Sequence, residues 1–410
     1  MKEKIAEDIQ QFVLEEAPLS GTPMQYPSDP FWKELKNTGT ELWLDTGDID
    51  AAGSLWCSEF SGLTTNNTLL NIEVQRGIYD ELIEKAGGVL KGLDLKEKVV
   101  EIAFILNAVH GLNLVRRFGA RVSVELHTDF ASDVERTVYY ARQFHSIEPE
   151  NFIIKVPLTP DGFIATRRLR EEGIPVNFTL GFSARHNYLA TLLSFPSYVN
   201  VLLGRLNSYI ADNRLGDGLM VGEKATLASQ RWVSNLSKEK GRITKQIAAS
   251  MRQASQLRDL AGVDIFTMPV KVTEAAKKEL SGEWKSQLDS EYEVMLYEGV
   301  KDEVVRLSKL WDITEKEKLY ARELEVNPPS SGKDLIEIAH DFGIHDLFPR
   351  LNEEESRYIA SDGKIPLHKR WESCIKKGEA AIDSLLNLAG LASFAESQRE
   401  LDERIEKLIG

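Results

Sequence analysis

Lys155 stands alone among apolar neighbours in Phe152-Ile-Ile-Lys-Val-Pro157. Lysine is almost never fully buried without a partner. An amine held out of water sheds its proton more readily, and the neutral amine attacks carbonyl carbon to give a Schiff base. A lysine at a strand end can equally snorkel into solvent, which for a lone residue is the commoner outcome. Asp45 ends the run Leu42-Trp-Leu-Asp45. A carboxylate there could act as general base and then acid, or simply cap the Thr-Gly turn that follows. Glu125 puts a second acid into Val122-Ser-Val-Glu-Leu126, where it could orient the water that Schiff-base chemistry loses and regains, or pair with Lys155. Those two readings need the same proximity. Arg205 in Leu203-Gly-Arg-Leu206 and Arg252 in Ala249-Ser-Met-Arg252 follow two later runs. With Ser250 they could fork around a phosphate dianion, although either arginine alone reads as a surface residue. Asn66, Asn177 and Thr179 end further runs and complete the polar set.

Such residues need elements that bring them together. Eight short apolar, β-rich runs recur at 41–44, 62–65, 121–125, 152–156, 175–180, 198–203, 246–250 and 263–268. Between them lie stretches such as 132–147, 161–173 and 184–195, with apolar residues every three or four positions. Continuously apolar strands alternating with helices predict α/β architecture, a closed (β/α)8 TIM barrel whose strand ends carry the site. Periodicity alone also permits an open doubly wound sheet. No Gly-x-Gly-x-x-Gly turn follows the first run and no Gly-Lys-Ser/Thr loop occurs, which disfavours a nucleotide fold. Three regions follow: an N-terminal helical lead-in (1–38, with 2–16 helical and an interruption from Pro18 to Pro30), the barrel (39–284), and a C-terminal helical extension (285–410). In the extension, helices are predicted at 291–311, 314–325, 334–342 and 371–408, with no clear strand. It either forms a separate domain or packs on the barrel. Gly87-Gly88 reads as a turn and the tryptophans as core.

The 410 residues carry a net charge of −14, with 42% hydrophobic and 28% charged residues. No basic stripe supports nucleic-acid binding. No run of 18 apolar residues suggests a membrane span, and the first residues lack a signal peptide's apolar core. Cys57 and Cys374 are the two cysteines, too few and too far apart for a disulfide or metal framework. A cytoplasmic setting is therefore expected, in which the sequons at Asn66 and Asn177 carry no glycans. The seven histidines show no ligand spacing, so no metal is expected. Ser-His-Asp chemistry lacks its Gly-x-Ser-x-Gly elbow.

At these same residues the chain resembles the transaldolase family of class I, Schiff-base-forming aldolases. The resemblance rests on Asp45-Thr-Gly-Asp48, Thr64-Thr-Asn66, Val122-Ser-Val-Glu125, Ile154-Lys-Val-Pro157, Asn177-Phe-Thr-Leu-Gly-Phe-Ser183, Gly204-Arg205, Ala249-Ser-Met-Arg252 and Asp264-Ile-Phe-Thr-Met-Pro269, in order over residues 40–280. It implies Lys155 as the Schiff-base lysine, Asp45 as the acid/base and Glu125 as the water-orienting acid, with Thr179 assisting. Asn66 and Asn177 would line the substrate site, and Arg205, Ser250 and Arg252 would hold phosphate. The implied reaction transfers a three-carbon dihydroxyacetone unit between sugar phosphates in the pentose phosphate pathway, with no cofactor and with a homo-oligomer as one possible assembly. Three departures fall on expected pocket positions. Asn67 replaces a common proline, Asn200 replaces a substrate-contacting serine, and Leu202 replaces an aromatic. Two alternatives stay open: an aldolase of the fructose-6-phosphate type that releases the three-carbon unit, and a non-catalytic sugar-phosphate-binding barrel. Another phosphosugar barrel, such as an isomerase, would need no lysine here. The aldolases tend to carry glutamine where transaldolases carry glutamate, so Glu125 favours transfer.

Overall fold

The structure is a computed structural model that describes residues 2–17, 25–281 and 284–410; the interruption expected from Pro18 lies outside the described residues as far as position 24. Eight parallel strands pair in chain order and close on themselves. They are β1 (Glu41–Asp45), β2 (Phe60–Thr64), β3 (Arg121–Glu125), β4 (Phe152–Pro157), β5 (Val176–Thr179), β6 (Tyr198–Leu202), β7 (Lys245–Ala249) and β8 (Ile265–Pro269). Each expected run is a strand, shifted by no more than one or two positions. Closure is decided by β1 lying against β8, with Leu42 opposite Phe266 and Leu44 opposite Met268. An open sheet is thereby excluded. Helices cover the outside, so the strands are buried on both faces. In β4 every residue from Phe152 to Val156 is buried, Lys155 included.

The lead-in forms the expected helix Lys2–Glu16 and a second, Pro30–Lys36, capped by the Asp29 side chain. Gly87-Gly88 is not a turn but lies inside the helix Asp80–Val89. A Cβ on Gly87 would stand 3.0 Å from Ile409, so the bare backbone seats the end of the chain. The helix Leu95–Phe118 is long and apolar enough to cross a membrane, yet 83% of its apolar window is buried inside the protein. That is the position of a core helix.

The extension departs most from expectation. Residues 291–301 are not helical. Their backbone is drawn toward the barrel, where Leu296 bridges Gly216 and the Tyr297 N–H donates to Leu215 O at 2.9 Å. Only a short helix, Asp302–Val305, and a 3-10 turn, Leu307–Leu310, follow. Helices Glu315–Val326 and Gly332–Asp341 fall where predicted, and Glu353–Asp362 is an additional one. The long helix predicted at 371–408 is broken at Gly378, whose left-handed φ of +76° ends His368–Lys377. The final helix, Ile382–Ile409, then runs 28 residues.

This final helix lies across the barrel mouth. Asn387 Nδ2 donates to Leu158 O and Leu180 O, both at 2.9 Å, just past β4 and β5. Thr68, past β2, donates to Ser397 at 2.8 Å, and His127, past β3, meets Asp402 at 3.2 Å. At its start, Asp383 enters a buried charge cluster. Arg185, 2% exposed on the helix Ala184–Leu193, binds Asp383 at 2.8 Å, Asp346 at 2.8 Å and Glu317 at 2.9 Å. Three separate parts of the extension are thus tied to one barrel arginine.

Candidate active site

The strand ends open into a cavity of about 310 Å³ under the final helix, large enough for a small polar ligand. Lys155 projects from β4 with its Nζ donating to Thr65 O at 3.1 Å and lying 3.8 Å from Glu125 Oε1. Glu125 leaves β3 beside it, in register with Lys155. Burial pushes the Glu125 carboxyl up. The Lys155 charge and an N–H from Asn67 (2.9 Å to Oε2) oppose that, and the Asp45 charge adds to it. Burial also raises Asp45 at the end of β1, against the Lys155 charge and the Thr64 hydroxyl, which donates to Asp45 at 2.7 Å. Thr64 in turn meets Thr267 of β8 at 2.6 Å. Two carboxyls therefore flank one ammonium in a desolvated mouth, and both hold their protons more tightly than free carboxylates do.

Asn177 and Thr179 line the wall from β5, and Asn200 lines it from β6. The Asn200 amide donates to Asn177 Oδ1 at 2.6 Å and Phe178 O at 3.2 Å, while Asn177 donates to Ser123 at 3.0 Å. Asn66 caps the helix Asn67–Gln75 through its side-chain oxygen, and it also lines the cavity. Arg205, Ser250 and Arg252 line the same cavity. Gly204 lets these approach, since a Cβ there would meet Ser250 O at 2.1 Å and Arg252 Cγ at 2.7 Å. Ser250 itself sits at φ +60°, strain of the kind that collects at functional sites. Burial, followed by the neighbouring Arg252, lowers Arg205 to about 10, and Glu125 partly offsets this.

Nine of the ten residues singled out from sequence line this one cavity; Glu125 stands directly behind Lys155. Of the three departures, Asn200 and Leu202 line it. Asn67 does not. It is fully buried behind the wall, where its backbone holds Glu125. Thr64, Thr267, Lys364 and Phe394 are among the further lining residues that carried no assigned role. Thr64 and Thr267 were visible only as parts of motifs. Lys364 and Phe394 come from the extension and had no sequence signal at all. The Phe394 ring lies 5.6 Å from Lys155 Nζ and 5.7 Å from Arg205 Cζ, so the final helix brings an aromatic ring into the cavity. Among the described residues no His/Cys/Asp/Glu group could hold a metal.

Closure, strand order and a polar mouth at the C-terminal strand ends define the class as (β/α)8 barrels. Comparison with known proteins narrows it. The Transaldolase/Fructose-6-phosphate aldolase family profile matches residues 42–317. The chain is 32% identical over 234 residues to the transaldolase of Xanthomonas euvesicatoria pv. vesicatoria (strain 85-10), covering 55% of this chain and 71% of that protein. To the transaldolase of Prochlorococcus marinus (strain MIT 9301) it is 27% identical over 303 residues, 70% of this chain and 88% of that one. The chain belongs to the transaldolase/fructose-6-phosphate aldolase family. The family match ends before Lys364 and Phe394.

Proposed function

We propose that the protein is a transaldolase that moves a dihydroxyacetone unit from a ketose phosphate to an aldose phosphate through a Schiff base on Lys155. The observation that carries this reading is one buried amine beside two buried carboxyls whose hold on a proton is raised, in a cavity also lined by arginines with no carboxylate partner among the described residues.

The neutral Lys155 amine adds to the C2 carbonyl of the ketose. Glu125 and Thr179 assist loss of the carbinolamine hydroxyl as water, leaving an iminium. Ionised Asp45 takes the C4 hydroxyl proton, the C3–C4 bond breaks, and its electron pair flows into the iminium as an enamine. The aldose phosphate departs. An acceptor aldose phosphate enters, the enamine carbon attacks its aldehyde, and Asp45 returns the proton to the new hydroxyl. Water then hydrolyses the iminium and frees Lys155. Arg205, Ser250 and Arg252 hold the phosphate of the donor and then that of the acceptor, so positioning and charge complementarity supply much of the acceleration. Transfer of this kind belongs to the pentose phosphate pathway, and a cytoplasmic setting is part of the proposal.

The test is an assay with fructose 6-phosphate as donor, with and without erythrose 4-phosphate. Formation of sedoheptulose 7-phosphate well in excess of free dihydroxyacetone is the expected result. Free dihydroxyacetone as the main product would make the protein an aldolase. Binding without either product would leave only a sugar-phosphate-binding barrel.

A further inference from the structure

Three cations that feel one another's charge line the cavity: Arg205, Arg252 and Lys364. Among the described residues none of them has a carboxylate partner within salt-bridge distance, and Arg205 Nη1 is buried with no hydrogen-bond partner. Like charges held together cost energy unless an anion joins them. The cost is visible at Lys364, whose ammonium is lowered by partial burial and then by Arg205 and Arg252.

Its position is built rather than accidental. Lys364 sits in the loop 363–367 between the helices Glu353–Asp362 and His368–Lys377. Asn213 holds that loop from both sides, donating to Pro366 O at 3.0 Å and accepting from the His368 N–H at 2.8 Å. Tyr209 OH meets His368 Nδ1 at 2.9 Å. Asp362 closes the loop by accepting the Leu367 N–H at 3.0 Å and pairing with Arg370. Tyr209 lies on, and Asn213 caps, the helix Leu203–Asp212, whose first turn carries Arg205. One helix therefore sets both Arg205 and the loop that presents Lys364.

We propose that Lys364 is a substrate-binding residue, a third cation on the sugar phosphate, delivered to the barrel mouth by the C-terminal extension. This rests on the sugar-phosphate reading of the cavity. The ligand class it selects is the phosphate dianion, because three fixed positive charges favour two negative ones over one.

The test compares Lys364→Met and Lys364→Arg with the unaltered protein. Losing one charge-assisted contact is expected to raise KM for fructose 6-phosphate, and the inhibition constant of inorganic phosphate, by at least about tenfold. The kcat is expected to move much less, and Lys364→Arg to recover most of the loss. KM and phosphate inhibition unchanged in Lys364→Met would overturn the proposal. Borohydride trapping separates the two levels of inference. A Lys155 adduct in both proteins with equal KM sinks only the role of Lys364, whereas no adduct in the unaltered protein sinks the Schiff-base reading of the proposed function. In that second case, inorganic phosphate titrated calorimetrically into both proteins still decides whether Lys364 binds phosphate: equal affinities overturn it.

Discussion

Asn67 sits where the family commonly has proline, and its backbone N–H donates to Glu125 Oε2. Proline has no N–H to give, yet it fits the first position of a helix, which Asn67 occupies. Asn67→Pro therefore removes one bond to Glu125 and leaves the helix start intact. The lost Asn67 Nδ2 bond to Leu126 O should cost about 1 kcal/mol of stability. Because the Asn67 N–H lowers a Glu125 carboxyl that burial raises, its loss is expected to raise that carboxyl further. The pH dependence of Schiff-base formation, followed by borohydride trapping, should shift to higher pH; an unshifted profile would show that Asn67 does not tune Glu125. At this scale much was legible in sequence, for a physical reason. Asp45, Glu125 and Lys155 interrupt apolar strands, where a charge needs a cause. Lys364 and Phe394 interrupt nothing: each is an ordinary residue in its own segment and gains meaning only from a neighbour far away in sequence.

The final helix is the element that converts an open barrel mouth into a covered cavity, and its start is fixed by Arg185. That guanidinium faces three carboxylates, from Glu317, Asp346 and Asp383, while Ser183 donates to Asp383 at 2.7 Å. Arg306 and Lys309 share part of this load, with Arg306 at 3.1 Å from Asp346 and Lys309 at 2.9 Å from Glu317. Removing one member of a buried charge cluster leaves the others uncompensated. Arg185→Met is expected to cost about 3–5 kcal/mol in unfolding free energy, read by denaturant titration. A loss under about 1 kcal/mol, the ordinary worth of an exposed pair, would mean the cluster does not hold the extension. The elements themselves were read well where local pattern ruled and poorly where tertiary contacts did. Residues 291–301 carry helical spacing, but Leu296 bridges Gly216 and the Tyr297 N–H goes to Leu215 O instead.

The whole molecule combines a barrel that can be read from eight recurring runs with an extension whose placement cannot. Closure depended on β1 meeting β8, a contact between the two ends of the repeating pattern that spacing does not encode. The covered mouth depended on side chains such as Asn387 reaching carbonyls at Leu158 and Leu180. This assembly has a pH limit with a definite sign. Burial would raise Asp383 and Glu317, but Arg185 outweighs it, holding Asp383 far below the carboxylate range and, with Lys309, Glu317 at about 2. Depressed acids stabilise the fold above their unfolded values, and that contribution is lost as pH falls through the folded ones. Between about pH 4.5 and 2 the extension is expected to loosen first. Hydrogen exchange should then rise in the segment 302–409 before it rises in the strands. Simultaneous exchange of both regions would contradict a latch centred on Arg185.

The central claim is the covalent role of Lys155, and borohydride reduction in the presence of fructose 6-phosphate, followed by peptide mass spectrometry, tests it most directly. The account predicts a reduced three-carbon adduct on the peptide containing Lys155, absent from Lys155→Ala. Bound sugar with no adduct, or an adduct on another lysine such as Lys364, would contradict it.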